Sequence, residues 1–470
     1  MATRQKKEPK SFYFIGINGV AMSGLAVMLK QSGYEVSGSD EAEEFPTDAV
    51  LSRNNITVHR GFKADNLKFK PDVVVVSAAY GVNNVEFKAA KSLRITIQTQ
   101  SEALGLLMQR YEGVGVAGVH GKTTTSSLLS YILKESGNSP SYMIGAPDVP
   151  GLSGNAFLGD GKYFVAEADE YRKSEASKEP KFLDLPLKHV IITSIELDHP
   201  DVYETAEDVY RAFYQLTIRI PRDGTIVACT DSPLVRRLVQ RSVDRKCLTY
   251  GFGSQAEYVI TKPTHTSTTT SFSLQTAGGE IGTFTMKLPG KHNILNASAA
   301  IIMAIKLGVS TKAIAQALAT FEGPARRFEH LGEFNGAPIF HDYAHHPTAL
   351  GYLIETAKEQ FPDSRLVLVF QPHTYSRTGK LLKEFASSLA VADQLILLNI
   401  FASAREKSGY VTIKDLVDEV RKLKPDAEYR SSLEDAATYL SSFISSNHVV
   451  FLVGAGDVYK IFQKLREQHS

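Results

Sequence analysis

The segment of residues 117–125, AGVHGKTTT, constrains the fold of this chain more than any other stretch. It continues the apolar run YEGVGVAGV and leads into SSLLSYILKESG, whose apolar residues recur with helical spacing. A buried strand that turns through glycines into a helix typically binds phosphate, because backbone N–H groups at the helix start point at the oxygens. We predict that Lys122 neutralises a bound phosphate and that Thr123 can hold Mg²⁺.

The loop departs from the most common phosphate-loop pattern. That pattern has a glycine five residues before Gly121, where this chain has Val116. Gly118 lies closer to the lysine, so the loop is shorter than usual. The alternative interpretation is a glycine turn with a chance lysine, but the strand–loop–helix context favours a nucleotide site.

Acidic residues follow the next apolar run, in YFVAEADE. Glu167, Asp169 and Glu170 end a predicted strand, and an acid at a strand end downstream of a phosphate loop is the usual second holder of Mg²⁺. His199, in SIELDHPDVY, ends the strand after that. A lone histidine in a loop is more often structural than a ligand, so its role stays open on these grounds.

The N-terminal hundred residues alternate strand and helix patterns: FYFIGI, MSGLAVMLKQSG, YEVSGSD and PDVVVVSAA. GINGVAMSG is an imperfect dinucleotide fingerprint, because Asn18 stands between Gly16 and Gly19 where a glycine is usual. Asp40 ends the second strand, near the place where such folds hold a ribose hydroxyl. The pattern allows any nucleotide diphosphate, and a dehydrogenase stays an alternative that Asn18 counts against.

The length and the element pattern together predict the architecture. A chain of 470 residues is too long for one core and predicts about three domains. Residues 256–288 change to Thr- and Ser-rich alternation, which is typical of antiparallel strands. We predict an α/β protein of three domains: a Rossmann-like domain over 1–105, a central P-loop ATPase domain with an antiparallel patch over 106–325, and a Rossmann-like domain over 326–470.

Composition excludes several classes of function. Lys and Arg number 52 against 51 Asp and Glu, and this net charge of +1 argues against a nucleic-acid partner. Cys229 and Cys247 form neither a metal-ligand spacing nor a disulfide framework, which favours a reducing cytoplasm. The apolar residues 11–30 imitate a signal peptide, but glycines interrupt them and a second strand follows. We expect a cytoplasmic protein without membrane insertion.

Two polar stretches lie in the third predicted domain, HDYAHHPTA and FQPHTYSRTGK. They place Asp342, His345, His346, His373 and Arg377 where strands end and helices begin. Helix capping is the alternative interpretation. Two such clusters in one domain favour a site for an anionic substrate, and no complete metal shell can be assembled from them.

The motifs in their order, from the glycine fingerprint through GVHGKTTT, EADE, LDH, PGKHNILNA, RRFE, DYAHHPT and FQPHTYSRT, resemble the Mur ligase family along nearly the whole chain. The resemblance implies a UDP-binding first domain, an ATP-binding second domain and a third domain that brings an amino acid. It implies an ATP-dependent ligase that activates a muramyl carboxylate as an acyl phosphate, with ATP and Mg²⁺ required.

The resemblance also implies roles for individual residues. The implied catalytic residues are Lys122, Glu167, His199, Arg327 and His345, and the implied Mg²⁺ ligands are Thr123, Glu167 and His199. ATP is expected at Gly118, Val119, His120, Gly121, Lys122, Thr123, Thr124, His292, Asn293, Asn296, Arg327 and Asp342. The UDP-linked substrate is expected at Gly16, Asn18, Gly19, Ser39, Asp40, Ser77 and His199, and the amino acid at Tyr343, His345, His373 and Arg377.

The motifs point to two branches of the family, which differ in the amine that they attach. EADEY and the long stretch YRKSEASKEPKFLDLPLK resemble the branch that attaches a tripeptide to UDP-N-acetylmuramate. FQPHTYSRT and GAGDVYK resemble the branch that attaches L-alanine, and they decide our prediction. His341 and Val119 depart from the residues usual at those positions. AEDVYRAFYQL lacks the lysine that later members of the pathway carry, as in both of these branches.

The implied partners are small molecules: UDP-N-acetylmuramate, L-alanine and ATP. We expect a monomer or a weak homodimer. A nucleotide-gated binding protein without ligase activity is the remote alternative, which the presence of Lys122, Thr123, Glu167 and His199 counts against.

Overall fold

The computed structural model describes residues 9–45, 47–174, 176–242, 244–402, 406 and 408–468. It confirms the predicted three-domain α/β fold, with one parallel or mostly parallel sheet in each domain and a separate two-stranded antiparallel sheet over 172–174 and 177–180. We keep 1–105, 106–325 and 326–470 as proposed domain limits, although the first limit falls inside a helix. No described helix has both the length and the apolar character needed to cross a membrane.

The first domain is built on five parallel strands in the order β3-β2-β1-β4-β5. Because β1 lies in the middle, the chain winds outward in both directions and the carboxyl ends of β1, β2 and β4 meet at one edge. β4 consists of four buried valines, as expected of a strand covered on both faces. The elements are β1 Ser11–Ile15, α1 Val20–Gln31, β2 Glu35–Asp40, α2 Asp48–Arg53, β3 Thr57–Arg60, the 3₁₀ helix Ala64–Leu67, β4 Val73–Val76, α3 Val85–Ser92, β5 Thr96–Thr99 and α4 Gln100–Met108.

The second domain opens with the strand and helix of the predicted phosphate loop and runs to α9. Its elements are β6 Glu112–Ala117, α5 Lys122–Glu135, β7 Ser141–Met143, β8 Ala156–Phe157, β9 Tyr163–Glu167, β10 Arg172–Ser174, β11 Ser177–Pro180, the 3₁₀ helix Lys181–Asp184, β12 Leu187–Ile192, α6 Ala206–Arg219, β13 Thr225–Cys229, α7 Pro233–Arg241, β14 Cys247–Gly251, β15 Tyr258–His265, β16 Thr270–Thr276, β17 Gly279–Met286, α8 Lys291–Lys306 and α9 Thr311–Thr320.

The sheet of this domain has ten strands in the order β17-β16-β15-β14-β13-β12-β6-β9-β7-β8. β6 lies between β9 and β12 and is parallel to both. The glycine loop after β6, the acids after β9 and the stretch after β12 therefore meet at one sheet edge. The predicted antiparallel patch is observed as β15, β16 and β17, which extend one side of the sheet.

The third domain has six strands in the order β18-β19-β23-β20-β21-β22, parallel except for the hairpin of β18 and β19. The polar stretches that follow β19 and β20 lie at its carboxyl edge, which faces the second domain. The elements are β18 Glu329–Phe334, β19 Ala337–Asp342, α10 Pro347–Gln360, β20 Arg365–Phe370, α11 Tyr375–Lys380, α12 Leu382–Leu389, β21 Gln394–Leu397, α13 Ile413–Arg421, β22 Glu428–Tyr429, α14 Leu433–Ser441, β23 His448–Val453 and α15 Lys460–Glu467.

Candidate active site

A cavity of about 670 Å³ lies where the three domains meet. The second domain contributes the glycine loop and the acids after β9, and the third contributes the segments before α10. α4 of the first domain adds Gln100, Ser101 and Leu104 to the wall. This cavity is large enough for a nucleotide together with a second reactant.

The glycine loop needs its glycines for space as well as conformation. Gly118 and Gly121 have φ of 135° and 79°, in the region that favours glycine. A Cβ on Gly118 would lie 2.0 Å from Thr193 Oγ1, and one on Gly121 would lie 2.2 Å from Asn296 Oδ1. The loop is therefore packed directly against the segment after β12 and against α8.

Lys122 is the first residue of α5, and its side chain is 15% exposed. Its Nζ donates to the carbonyl oxygen of Gly118 at 2.6 Å and to both carboxylate oxygens of Glu170 at 2.9 and 3.0 Å. Burial alone would lower the pKa of Lys122, but the charges of Glu170 and Asp169 outweigh it and raise the pKa above its usual value. The lysine is fully charged and is held next to the glycine loop.

Thr123 and Glu167 form one part of the candidate metal site. The Glu167 carboxylate accepts from the backbone N–H of Gly145 at 2.6 Å, and the Thr123 side chain and Lys122 counteract the effect of burial on its pKa. Burial raises the pKa of Glu167, so a nearby positive charge would favour its ionised form. A hydroxyl and a carboxylate at the end of the glycine loop suit Mg²⁺, which prefers oxygen ligands and phosphate.

His199 lies beside two other acids, Asp169 and Glu170. One ligand atom from each of these three residues lies within 4.8 Å of the others, an arrangement that could hold a metal ion. His199 Nε2 is 3.8 Å from Glu170 Oε1, and Asp169 is bound to Lys181 at 2.8 Å. The predicted metal set lacked these two acids, although both had been identified as strand-end carboxylates.

The residues expected near the nucleotide base, His292, Asn293 and Asn296, lie on the first two turns of α8. Asn293 Nδ2 donates to the carbonyl oxygen of Pro289 at 2.7 Å, and Asn296 Nδ2 donates to Asn293 Oδ1 at 3.2 Å. The His292 ring stacks on Tyr352 of α10 at 5.6 Å between centroids. Burial lowers the pKa of His292 to about 4, so its ring is neutral at physiological pH.

Arg327 and Asp342 reach the same cavity from the third domain. The Arg327 guanidinium lies 5.3 Å from the centre of the Tyr343 ring. Asp342 accepts from the backbone N–H groups of Phe328 and Ala344 at 2.8 Å each, and burial raises its pKa. Asp342 thus orders the loop that carries Arg327 and Tyr343.

The expected amino-acid residues form a second cluster, in which Arg377 is buried and Tyr343, His345 and His373 are partly exposed. The rings of His345 and Tyr343 are 5.3 Å apart, and those of His345 and His373 are 6.0 Å apart. Arg377 Nη1 lies 3.4 Å from His373 Nδ1, and Arg377 Nε donates to Asp198 of the second domain at 2.8 Å. The structure brings all four residues together and adds Asp198 to them.

His345 has one defined tautomer. Its Nδ1 lies 2.8 Å from the carbonyl oxygen of Tyr343, and because a carbonyl only accepts, Nδ1 carries the proton. Burial and the neighbouring guanidinium of Arg377 hold the pKa of His345 well below its usual value. The ring is therefore neutral, with the lone pair on Nε2.

His120 faces the third domain rather than the interior of the glycine loop. Its Nε2 is 3.6 Å from Glu196 Oε2, and its ring is 4.8 Å from the ring of His346. Its backbone N–H donates to Ser194 Oγ at 3.0 Å. Thr348 of α10 donates to Glu196 at 2.7 Å, so these side chains join the glycine loop to the third domain.

Six of the residues expected to bind the UDP-linked substrate lie at the edge of the first sheet and do not line the central cavity, whereas the seventh, His199, lies in the second domain and lines it. Asp40 accepts from the backbone N–H of Asn18 at 2.7 Å and from Tyr80 OH at 3.0 Å. Gly16 has φ of 81°, and a Cβ there would lie 2.6 Å from the Tyr80 ring and 3.0 Å from Ser77 Cβ.

Ser39 of this group donates to the buried carboxylate of Glu86. Glu86 also accepts from Tyr13 OH, the Asn66 amide and the backbone N–H of Lys63. The Ser39 hydroxyl therefore helps to join β2 to α3 within the first domain.

Sequence reasoning did not assign a role to three residues that the structure places in the site, namely Glu170, Glu196 and Asp198. Each lies within three residues of an assigned residue, Glu167 in EADE or His199 in IELDH. Their signal was an acid at the end of a strand, which solvated loop acids share. Their partners, Lys122, Thr348 and Arg377, lie 48 to 179 residues away along the chain.

Family models match almost the whole chain in three consecutive parts. They are "Mur ligase family, catalytic domain" over residues 11–112, "Mur ligase middle domain" over 116–304 and "Mur ligase, glutamate ligase domain" over 326–456. The UDP-N-acetylmuramate–L-alanine ligase of Desulfitobacterium hafniense is 40% identical over 97% of this chain and 99% of its own length. That of Caldanaerobacter subterraneus is 35% identical over 98% of each chain.

Solved structures agree with this relationship. The UDP-N-acetylmuramate-alanine ligase of Thermotoga maritima has a TM-score of 0.82 and 26% identity, covering 98% of this chain and 99% of its own. A murein peptide ligase from Psychrobacter arcticus shares the fold, with a TM-score of 0.75 at 24% identity over 97% and 98% of the two chains. From the family models and full-length relatives, this chain belongs to the Mur ligase family.

Proposed function

We propose that this protein joins L-alanine to UDP-N-acetylmuramate in an ATP-dependent reaction that forms an acyl phosphate and releases ADP and phosphate. The main observation in support is that Asp198 contacts both the cluster next to the glycine loop and the cluster expected to bind the amino acid. Lys122, Glu170 and His199 lie on one side, and Arg377 and His345 lie on the other. The names of the full-length relatives at 35–40% identity support the same reaction.

The first step needs charge compensation, because a carboxylate must approach the γ-phosphate of ATP. Lys122 lies at the glycine loop and Arg327 lies across the cavity, so both can face the phosphates. Fixed positive groups around a transferring phosphoryl group stabilise its transition state without reorganisation. Thr123, Glu167, Asp169, Glu170 and His199 are the residues that would hold Mg²⁺, which would supply further positive charge to the phosphates.

The second step is attack of the alanine amine on the acyl phosphate. The amine attacks only as the neutral form, so the ammonium group must first lose a proton. His345 Nε2 carries the lone pair that can accept it, because Nδ1 donates to the carbonyl oxygen of Tyr343, and the lowered pKa of His345 favours onward transfer of the proton to water. Arg377 can bind the alanine carboxylate as a bidentate partner. The tetrahedral intermediate then releases phosphate and leaves the amide.

The first domain is proposed to bind the UDP portion at Gly16, Asn18, Gly19, Ser39, Asp40 and Ser77. We also propose a cytoplasmic protein that is a monomer or a weak homodimer. Calorimetric titration of the full chain should show heat with UDP-N-acetylmuramate and none with NAD. Tight binding of NAD alone would contradict this assignment.

The test of the proposed reaction is ADP release from ATP, Mg²⁺ and UDP-N-acetylmuramate with one amine supplied at a time. We expect release with L-alanine that disappears when UDP-N-acetylmuramate is omitted. Glycine and L-serine measure the tolerance of the site, and the tripeptide L-alanyl-γ-D-glutamyl-diaminopimelate tests the other branch. A higher kcat/KM for the tripeptide than for L-alanine would refute the proposed amine but leave the family unchanged.

A further inference from the structure

Asp198 is the residue at which the phosphate side and the amine side of the cavity touch. It follows β12, is 5% exposed and lines the cavity. Its Oδ1 accepts from the backbone N–H of His199 at 2.7 Å and from Arg377 Nε, 179 residues away, at 2.8 Å.

The two oxygens of this carboxylate are used differently. Among the described residues, both of its hydrogen bonds end on Oδ1. Oδ2 is 3.8 Å from His199 Nε2, beyond hydrogen-bond distance. Asp198 lines the cavity, and a carboxylate oxygen with no hydrogen-bond partner among the described residues can accept a hydrogen bond from a bound cation.

Arg377 presents a complementary edge. Its Nε is taken by Asp198, and its Nη1 lies 3.4 Å from His373 Nδ1, at the limit of a hydrogen bond. Among the described residues, the terminal nitrogens of Arg377 are the groups left for a carboxylate, and they lie behind Asp198 and His345, which line the cavity. The side chain is 5% exposed, so a carboxylate bound there would be shielded from water.

We propose that Asp198 and Arg377 together bind a free α-amino acid as a zwitterion, with Asp198 Oδ2 on its ammonium group and Arg377 on its carboxylate. This inference rests on the proposed function and assigns Asp198 as a substrate-binding residue. The two charges of an α-amino acid are on adjacent atoms, and the two protein charges are likewise in direct contact. His345 lies beside the pair and can take the ammonium proton once the amine is in place.

The arrangement also accounts for a choice of amine. In the tripeptide, the carboxyl group next to the attacking amine is part of a peptide bond, so no carboxylate stands beside the ammonium group. A site that reads both charges at once binds free L-alanine and discriminates against the tripeptide. When the tripeptide binds, Arg377 has no carboxylate to pair with, and the cost of leaving it unpaired lowers the affinity for the tripeptide.

The test separates a direct contact from an effect through Arg377. L-Lactate has the carboxylate of L-alanine but a hydroxyl in place of the ammonium group, and it is assayed as an inhibitor of alanine-dependent ADP release. In Asp198→Asn we expect the KM for L-alanine to rise by about 10- to 100-fold, the range of a lost charge-assisted hydrogen bond. The Ki of L-lactate and the KM for ATP should stay within about threefold, because Arg377 remains.

Two outcomes for Asp198→Asn would contradict the proposal. An equal rise in the L-alanine KM and the L-lactate Ki would mean that Asp198 acts only by holding Arg377. An unchanged L-alanine KM would remove Asp198 from the amine site. Asp223→Asn, an exposed acid paired with Lys188, is the matched control and should leave all constants unchanged. Absence of alanine-dependent release by the wild type would instead refute the proposed function.

Two further measurements guard against a folding defect in Asp198→Asn. Asp198→Glu keeps the charge, and we expect it to recover part of the affinity for L-alanine. In the wild type itself, L-lactate should bind at least about tenfold more weakly than L-alanine, because it lacks the group that Asp198 binds. Equal affinity of the wild type for both would overturn the proposal without any variant.

Discussion

At the level of the single residue, we expect Lys122 to stabilise the fold as well as to bind phosphate. Its ammonium group donates hydrogen bonds to both oxygens of the Glu170 carboxylate. Glu170 is 1% exposed, so the pair is shielded from solvent on the carboxylate side. Removing one partner of a buried pair leaves an uncompensated charge and costs more than the pair itself contributes. From the sequence, Lys122 was expected only to neutralise phosphate.

Lys122→Ala is expected to lower alanine-dependent kcat by about 100- to 1,000-fold, the range for one electrostatic group at a transition state. The variant should also melt at a lower temperature, because Glu170 loses its partner. Lys134→Ala, at the exposed far end of the same helix, is the control and should keep both activity and melting temperature. Adding Glu170→Gln to Lys122→Ala should recover melting temperature but not activity; near wild-type turnover in Lys122→Ala would contradict the phosphate-loop assignment.

At the level of the element, α5 begins where the glycine loop ends, and two glycines flank it. Gly121 precedes the helix with φ of 79°, and Gly137 follows it with φ of 80°. They differ in surroundings, because a Cβ on Gly121 would collide with Asn296 while one on Gly137 would meet nothing within 4 Å. Alanine substitutions at these two glycines therefore distinguish the free-energy cost of the left-handed backbone conformation from the cost of a steric clash.

Gly137→Ala should lower the free energy of unfolding by about 1 kcal/mol, the cost of a left-handed conformation for an alanine. Gly121→Ala carries the same cost and must also displace α8 or the loop, so we expect a larger loss and a rise in the KM for ATP of about tenfold or more. Chemical denaturation and steady-state kinetics measure the two effects. Equal behaviour of the two variants would show that the contact with Asn296 does not matter.

At the level of the whole molecule, the second and third domains are joined by polar contacts made by consecutive residues after β12. Glu196 contacts His120 and Thr348, and the carbonyl oxygen of Leu197 is 3.1 Å from His346 Nε2. Asp198 follows with Arg377. Three successive residues thus fix the position of α10 and α11 relative to the glycine loop, which places the amine cluster opposite the phosphates.

The Glu196 contact predicts a pH dependence of stability. Burial alone would raise the pKa of Glu196, but His120 and Thr348 outweigh it and lower the pKa to about 2. Because the folded pKa lies below the unfolded value, the carboxylate stabilises the fold above the unfolded pKa, and this contribution is lost as the pH falls towards about 2.

Glu196→Gln should therefore melt below the wild type at pH 6, and the difference should shrink between about pH 4.5 and pH 2. Differential scanning calorimetry at several pH values measures it. Glu204→Gln, on an exposed residue nearby, is the control and should show no such change. A gap that stays constant with pH would mean that the Glu196 charge does not stabilise the domain contact.

Local patterns in the sequence determined much of this protein. The strand–loop–helix of residues 112–135, the three α/β sheets and the antiparallel strands over 258–286 follow from periodicity and turn residues within short windows. Helix and strand periodicity are set by neighbouring residues, so they can be read from a single stretch. The order of motifs added the family, which the comparisons confirmed.

Only the tertiary structure decided which polar residues meet. No sequence pattern indicated that Glu170, rather than Asp169, pairs with Lys122, that His120 faces Glu196, or that Asp198 holds Arg377. Each of these pairs joins different strands or domains, and many equivalent acids and bases were available. The strand order and the domain contacts decide which charged residues meet, because they bring residues tens to hundreds of positions apart to one edge of a sheet. That order is a property of the whole fold.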